Sequence, residues 1–312
     1  MEHVQVLIAG GGIGGLSAAI WCHRLGLSSL LIEKTDALGG QLAHIHNEIR
    51  DFPPHVYPNG AALLSALTTH PTVAGLQPRL SEAIVSVDVH THEITTSRSV
   101  YRADYLVVAT GVSPNELPQL AGCRRVLSPW FSTTAQAKTV SGQDVAVIGG
   151  GDRALESAAN LCLHARRVYL LVRSDRLRAQ PQWIRRIASL PNLHIFWETQ
   201  IDSYEAGAAG SIDLRLHSTR SDTPASIQVD WILPRIGVRG NSQGFAPLPT
   251  FGNYYLQTDS FQLAASDWIY AIGDVSNGAE YASLSLAAGQ AMRAVKHISL
   301  SLDRQAAQNE TR

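Results

Sequence analysis

The 312-residue chain has few cysteines, almost no net charge and no long apolar run, and each of these absences excludes a class of protein. Three cysteines (Cys22, Cys123 and Cys162) are too few and too scattered for a disulfide framework or a zinc site. A formal net charge of −1 excludes the basic surface of a nucleic-acid-binding protein. No apolar stretch approaches the roughly 18–20 residues of a membrane span, and the N-terminus lacks a signal-peptide layout. We therefore expect a cytoplasmic protein without nucleic-acid or membrane partners.

A strand, a glycine-rich turn and a helical pattern occur twice along the chain. Residues 4–15 read VQVLIAGGGIGG and residues 145–154 read VAVIGGGDRA, and each helix leads to another apolar run, which ends at Glu33 or at Arg173. This order is typical of the βαβ unit of nucleotide-binding sheets. The sequence therefore predicts an α/β fold with two Rossmann-like dinucleotide-binding domains.

Two further apolar strands, residues 105–111 and 269–274, each end on a small-residue turn and complete the first sheet. Because one of them lies near the C-terminus, we predict that the first domain is split. Its predicted parts are residues 1–115 and 244–312, and residues 116–243 form an inserted domain.

The first glycine motif is Gly10-x-Gly12-x-x-Gly15, and Glu33 ends the next strand 23 residues after Gly10. In such a motif the glycines allow a tight turn, a close approach of pyrophosphate to the backbone, and packing of the helix on the strand. The phosphates then meet the positive end of a helix. A carboxylate at Glu33 can accept hydrogen bonds from a ribose 2′-hydroxyl, so the motif in this context predicts dinucleotide binding.

The second motif, Gly149-x-Gly151-x-x-Ala154, differs at the position that reads the ribose. Arg173 lies 24 residues after Gly149, where the first unit has Glu33, and Arg178 follows five residues later. Guanidinium groups bind a 2′-phosphate, which a carboxylate would repel, so this unit favours NADP(H) over NAD(H). The alternative is that both arginines are solvated surface residues.

An ordered set of motifs covers nearly the whole chain: GGGIGG, LIEK, GGQL, YLVVATG, VAVIGGGD, VRSDRLR and YAIGDV. This set resembles the low-molecular-weight thioredoxin reductase-like flavoproteins. The resemblance implies FAD on the split domain, a pyridine nucleotide on the inserted domain, a homodimer, and a domain rotation that brings nicotinamide and flavin together. It requires neither a metal nor a catalytic acid or base, because flavin carries the chemistry.

The resemblance also assigns residues by position. Glu33 would bind the adenosine ribose of FAD, Gln41 the flavin, and Asp274 the ribityl–pyrophosphate region, while a helix starting near Ala282 would direct its positive end at the flavin. The expected cofactor-binding residues are Gly10, Gly12, Gly15, Glu33, Gly40, Gln41, His46, Asp51, Gly111, Gly273, Asp274 and Ala282 for FAD, and Gly149, Gly151, Arg153, Ala154, Arg173 and Arg178 for the nucleotide.

Several positions depart from the family pattern. Thioredoxin reductases carry a Cys-x-x-Cys before the second glycine cluster, but residues 129–135 read PWFSTTA, which excludes the usual dithiol route. The cysteine-free ferredoxin–NADP reductase branch has a flavin-stacking Tyr where this chain has His46, which is alternatively an ordinary loop histidine. Asp51 replaces a frequent Asn, and a carboxylate beside flavin would lower its reduction potential.

Arg153 replaces a frequent Ser in the second motif, and the basic signature around Arg173 is incomplete. The leading expectation is hydride transfer between NADPH and FAD, with electrons passed to a ferredoxin- or flavodoxin-like protein, a quinone or a flavin. The alternatives are a flavoprotein that does not use pyridine nucleotide, whose inserted domain binds a second flavin dinucleotide or nothing, and a sensor that keeps FAD as a structural element.

Overall fold

The computed structural model describes residues 1–207 and 210–310 of the chain. The strands are β1 (Glu2–Ala9), β2 (Ser29–Ile32), β3 (Ile84–Asp88), β4 (Glu93–Thr96), β5 (Val100–Val108), β6 (Val112–Pro114), β7 (Asp144–Ile148), β8 (Arg167–Leu171), β9 (Leu193–Phe196), β10 (Thr199–Ala206), β11 (Ile212–Ser218), β12 (Ser226–Val229), β13 (Trp231–Pro234), β14 (Val238–Gly240), β15 (Thr250–Phe251), β16 (Tyr255–Leu256) and β17 (Ile269–Ala271). The helices are α1 (Ile13–Arg24), α2 (Gly60–Thr68), α3 (Pro71–Ala74), α4 (Thr133–Gln136), α5 (Asp152–Leu161), α6 (Pro181–Ile187), α7 (Asp274–Asn277) and α8 (Leu284–Glu310).

The described chain divides into two compact units. Unit 1 comprises Met1–Ser113 and the chain from Val238 through α8, and unit 2 is Pro114–Gly237. The chain re-enters unit 1 at Val238, six residues before the predicted position 244. The glycines of GVRGNSQG resemble a linker, but Val238–Gly240 forms strand β14, which pairs with β6.

Unit 1 contains a six-stranded sheet in the order β2-β1-β5-β4-β3, with β17 also paired to β5. The second half of β5 lies between β1 and β17 in parallel register, and its first half pairs antiparallel with β4. Residues 6–9 of β1 and 105–108 of β5 are almost fully buried, which explains their continuous apolar sequence. Because β1, β2, β5 and β17 are parallel, the turns that follow them meet at one edge of the sheet.

The helices α1 and α8 of unit 1 pack against each other. Both helices carry fully buried alanines, Ala18 on α1 and Ala291 and Ala294 on α8, and such small side chains allow helices to pack closely. The helix that the sequence predicts to start near Ala282 is α8, which begins at Leu284. Ser283 determines this start, since its Oγ accepts a hydrogen bond from the N–H of Leu286 at 3.3 Å.

Although α8 has 27 residues, charged side chains interrupt its apolar positions. Within the described ranges, no helix is both long and apolar enough to cross a membrane.

Unit 2 contains a four-stranded parallel sheet in the order β13-β7-β8-β9 and an antiparallel sheet, β10-β11-β12. Asp144, at the amino end of β7, has a side chain only 4% exposed and forms ion pairs with Arg166 at 2.9 Å and Arg167 at 2.5 Å. This cluster fixes the amino-terminal end of the sheet. At the opposite end, the turns after β7 and β13 bring Gly149 and Arg235 close together.

Candidate dinucleotide-binding sites

The three glycines of the first motif have different surroundings. A Cβ on Gly10, whose φ is 113°, would overlap the carbonyl of Ala109, and a Cβ on Gly15 would overlap the carbonyl of Gly10. A Cβ on Gly12 would meet no atom within 4 Å. Gly10 and Gly15 are therefore needed for the packing of the turn, whereas Gly12 leaves its backbone open to a ligand.

Helix α1 begins directly after this open glycine. Gly12 is the N-cap residue, and no side chain caps the helix start. The first amide groups of a helix lack partners within the helix, and together with the helix dipole they attract anions. The geometry therefore fits the pyrophosphate of a dinucleotide.

Glu33 follows β2 and is held in one orientation by three hydrogen bonds. Its Oε2 accepts from the N–H of Gly11 at 2.7 Å, and its Oε1 accepts from the N–H and hydroxyl of Thr35 at 2.9 and 2.8 Å. The residue is 6% exposed and borders a cleft. A fixed carboxylate in this position is suited to the hydroxyls of a ribose.

The cleft has a volume of about 190 Å³. Its lining combines the glycine turn, the strand ends and the segment that follows β14: Ala9, Gly10, Ile32, Glu33, Lys34, Glu82, Ala83, Ile84, Thr110, Asn241, Gln243, Gly244 and Phe245. Glu82 and Asn241 were not predicted from the sequence. Glu82 precedes strand β3, and Asn241 lies in the stretch GVRGNSQG, whose glycines resemble those of a linker. Asn241 exchanges two hydrogen bonds of 2.8 Å with Thr110.

The GGQL turn continues the site from the glycine motif. The N–H of Gly39 donates to the carbonyl of Gly11 at 2.8 Å, and a Cβ on Gly40 would lie 3.3 Å from the Cα of Gly12. Gln41 Nε2 donates to Asp274 Oδ2 at 3.4 Å. A continuous row of contacts thus joins Gly11 to the end of β17.

Asp274 connects this row to the start of α8. Burial raises the pKa of its carboxyl group, and hydrogen bonds from the Ser283 N–H and the Gln41 amide partly oppose that rise. Gly111 lies beside the same amide, since a Cβ there would be 3.9 Å from Gln41 Nε2. Gly273 precedes Asp274 with a φ of 72°, and its N–H donates to Gln290 at 2.8 Å.

The remaining expected FAD contacts have weaker structural support. The side chains of His46 and Asp51 are exposed. The carbonyl of Asp51 accepts a hydrogen bond from the Ser285 hydroxyl at 2.6 Å, which holds its loop against the first turn of α8. Ala282 lies in extended backbone between a 3-10 turn and Ser283, two residues before the first residue of α8.

The second glycine motif repeats the geometry of the first within unit 2. A Cβ on Gly149, whose φ is 137°, would overlap the carbonyl of Arg235, whereas the nearest neighbour of a Cβ on Gly151 would be the carbonyl oxygen of Arg178 at 3.8 Å. Gly151 is the N-cap of α5, again without a side-chain cap. The buried methyl group of Ala154 is accommodated at the third position.

The arginines of the second motif do not share one environment. Arg178 is brought to the glycine turn, because its N–H donates to the carbonyl of Gly150 at 2.8 Å. Arg173 lies two residues beyond β8, and Arg153 lies in the first turn of α5. All three side chains are exposed, and within residues 1–207 and 210–310 none forms an ion pair with a carboxylate.

Arg235 is a structural residue that the sequence did not reveal. Its guanidinium group donates to the Ser157 hydroxyl at 2.9 Å and to the carbonyls of Pro129 and Phe131 at 2.8 and 2.5 Å. Burial, followed by the charge of Arg153, lowers its pKa to about 10. Arg235 therefore fixes the backbone of the segment that carries the dithiol in thioredoxin reductases.

None of the three cysteines forms a disulfide. Burial raises the pKa of the Cys22 and Cys162 thiols to about 12, so both are protonated near neutral pH. Within the described ranges, no group of three or more His, Cys, Asp or Glu side chains is arranged to hold a metal ion.

Comparison with known proteins shows to which family the chain belongs. Residues 4–296 match the family profile described as pyridine nucleotide-disulphide oxidoreductase. The chain is 30% identical to the ferredoxin–NADP reductase of Gluconobacter oxydans, over 88% of this chain and 84% of that protein. It is 24% identical to a 34.2 kDa protein in the rubredoxin operon of Clostridium pasteurianum, over 88% and 89% of the two chains.

Solved structures show the same fold. The bacillithiol disulfide reductase Bdr of Bacillus cereus matches with a TM-score of 0.79 at 17% identity, covering 96% of this chain and all of that one (100%). Lactococcus lactis thioredoxin reductase matches with a TM-score of 0.77 at 22% identity, covering 95% and 97%. The chain therefore belongs to the pyridine nucleotide-disulphide oxidoreductase family and is an FAD-dependent NAD(P)H oxidoreductase with a thioredoxin reductase-like fold.

Proposed function

We propose that the chain oxidises NADPH through FAD bound to unit 1 and passes the electrons to an acceptor other than a thioredoxin-type disulfide. One observation carries this proposal: a full set of dinucleotide-binding features coexists with cysteines that form neither a Cys-x-x-Cys nor a disulfide. Two of the three thiols are also too basic to react near neutral pH.

When bound, FAD supplies the hydride- and electron-transfer chemistry, and the chain supplies position and electrostatics. The open backbone at Gly12 and the start of α1 would hold the pyrophosphate, and Glu33 would accept hydrogen bonds from the adenosine ribose. Gln41 and Asp274, which contact each other, would bind the ribityl and flavin portions. The burial that raises the pKa of Asp274 leaves this carboxyl with a strong need for hydroxyl donors.

Unit 2 would bind NADPH through its own glycine turn. Arg173 and Arg178 have exposed guanidinium groups without a carboxylate partner among the described residues, so they are available to a 2′-phosphate. The main-chain hydrogen bond between Arg178 and Gly150 couples this arginine to the turn that would receive the pyrophosphate.

We propose a redox protein of the ferredoxin or flavodoxin type as the acceptor, with a quinone or free flavin as the small-molecule alternatives. The support is the 30% identity to a ferredoxin–NADP reductase over most of both chains. As part of this proposal, the chain forms a homodimer and is located in the cytoplasm.

The test is anaerobic stopped-flow mixing of the purified yellow protein with NADPH and, separately, NADH. We expect rapid bleaching of the flavin band near ~450 nm by NADPH, and the same bleaching in a variant in which all three cysteines are replaced by alanine. Loss of bleaching in that variant, if it remains folded and loaded with FAD, would contradict a thiol-independent route.

A matched pair of variants tests the nucleotide assignment. Arg178→Gln should weaken NADPH binding about 10- to 100-fold and leave NADH binding nearly unchanged, because one charge-assisted contact to phosphate is lost. Arg185→Gln, at an exposed position of α6, is the control and should behave like the wild type. Equal losses for both nucleotides would refute 2′-phosphate recognition by Arg178.

Arg153 motivates a second candidate function, in which the chain does not use pyridine nucleotide. Its long, exposed side chain lies in the first turn of α5, where it would occupy space that a nicotinamide nucleotide needs in the usual pose. A second flavin dinucleotide in unit 2 would then replace NADPH. No bleaching by either nucleotide, together with two flavins per chain, would favour this candidate over the first.

A further inference from the structure

Glu82 is a buried carboxylate to which none of the preceding steps gives a role. It is 3% exposed, yet it borders the same cleft as Gly10 and Glu33. Its N–H donates to the carbonyl of Glu33 at 2.9 Å, so the two acidic residues lie on neighbouring segments of one wall. A buried carboxylate is costly unless donors surround it.

In the described structure, only one of the two carboxylate oxygens of Glu82 accepts hydrogen bonds. Thr96 Oγ1 donates at 2.5 Å and Tyr101 OH donates at 3.1 Å, and both hydrogen bonds go to Oε1. Among residues 1–207 and 210–310, no donor bonds to Oε2. Because the residue borders the cleft, Oε2 remains as an acceptor for a donor that a ligand brings.

The rest of the cleft suits a flat base next to such an acceptor. Ile32, Ile84 and Phe245 supply apolar surface, while Gly10 and Glu33 mark the phosphate and ribose side. Adenine carries an N6 amino group with two donor hydrogens, whereas hypoxanthine and guanine carry a carbonyl acceptor at that position. An acceptor facing an acceptor is repulsive, so one carboxylate favours adenine and disfavours the other two bases.

We propose that Glu82 reads the exocyclic amine of the cofactor's adenine and makes the chain selective for an adenine dinucleotide. This inference rests on the proposed binding of FAD to unit 1. Thr96 and Tyr101 act as positioning residues, because their hydrogen bonds to Oε1 orient the carboxylate and leave Oε2 free for the base.

The test measures binding of FAD and of its hypoxanthine analogue, made by deaminating the adenine, to the full-length chain stripped of flavin. Dissociation constants come from quenching of flavin fluorescence. The wild type should bind FAD at least about 10-fold more tightly than the analogue, as expected for a hydrogen bond to a charged group. Glu82→Gln presents an amide that can donate or accept, so it should reduce this preference to about 2-fold or less.

Glu93→Gln, the same change at an exposed position of β4, should keep the wild-type ratio. Because the readout is a ratio of two affinities, general damage to the fold would weaken both ligands and leave the ratio unchanged. A wild-type chain that binds both dinucleotides equally, or a Glu82→Gln variant that keeps the wild-type ratio, overturns this inference alone. A wild-type chain that binds neither overturns the proposed function as well.

Discussion

The different surroundings of Gly12 and Gly15 yield the sharpest prediction, a comparison of Gly12→Ala with Gly15→Ala. At Gly12 a methyl group meets no protein atom within 4 Å, and the backbone (φ −79°, ψ −170°) is one that alanine adopts freely. Alanine is a poorer N-cap than glycine by about 0.5–1 kcal/mol, but it restricts the unfolded chain by about 0.4–1 kcal/mol. These terms nearly cancel, so the flavin-free Gly12→Ala variant should be as stable as the wild type.

The same methyl group occupies the space that we assign to pyrophosphate. Forcing an added methyl group against a close-fitting partner costs about 1–3 kcal/mol, which corresponds to a weakening of FAD binding by about 5- to 150-fold. At Gly15, by contrast, the methyl group overlaps the carbonyl of Gly10, so the turn must move. Gly15→Ala should therefore lower the unfolding free energy of the flavin-free chain itself by about 1–3 kcal/mol.

Urea denaturation of the flavin-free proteins and fluorescence titration with FAD separate the two effects. The expected pattern is unchanged stability with weakened binding for Gly12→Ala, and reduced stability for Gly15→Ala. A Gly12→Ala protein that binds FAD like the wild type would refute the assignment of this backbone to the phosphate site.

Three carboxylates give further predictions. Asp51→Asn removes a negative charge and should therefore raise the flavin reduction potential, but only by on the order of 10 mV, because this charge is exposed and screened. Redox titration with reference dyes measures the potential, and an unchanged or lower value would contradict the prediction. Burial alone would raise the pKa of Asp144, but hydrogen bonds from Arg166 and Arg167 outweigh it and hold the pKa below 3.8. Asp144→Asn should thus lower the free energy of unfolding by about 1–2 kcal/mol at pH 7, a value discounted for the exposure of the arginines. The difference in unfolding free energy between wild type and variant should vanish as the pH falls below 4 through the lowered pKa. A difference that does not depend on pH would speak against the ion pairs. Burial raises the pKa of Asp274 above 3.8, so its charge destabilises the flavin-free chain at pH 7, and Asp274→Asn should be the more stable protein there. That advantage should shrink as the pH falls through the raised pKa, and an advantage that grows on acidification would refute the sign.

The fold was largely predictable because its signals are local. The continuous apolar runs of β1, β5 and β17 and the glycines that follow β1 and β7 are contiguous in sequence, and each has one structural solution. Gln41 and Asp274 were assigned by resemblance, and the structure shows that their side chains are joined by a hydrogen bond.

The missed features depend on contacts between distant segments. Arg235 bonds to carbonyls 104 and 106 residues earlier in the chain, and nothing in the sequence around it indicates burial. Glu82 precedes an alternating strand, and only the fold turns its side chain toward Thr96 and Tyr101. The start of α8 was predicted to within two residues, and its position at Leu284 follows from Ser283, a residue type that is strongly preferred as an N-cap.

The hydrogen bonds from Arg235 to the carbonyls of Pro129 and Phe131 also affect which substitutions the surrounding stretch can accept. Cysteines introduced into that stretch would lie on a backbone that is held by a guanidinium group more than 100 residues later in the sequence. A cysteine at position 132 would also remove the Ser132 hydroxyl that accepts from the Ala135 N–H at 3.2 Å. A pair of reactive thiols in this stretch would thus depend on coordinated substitutions in separate parts of the sequence.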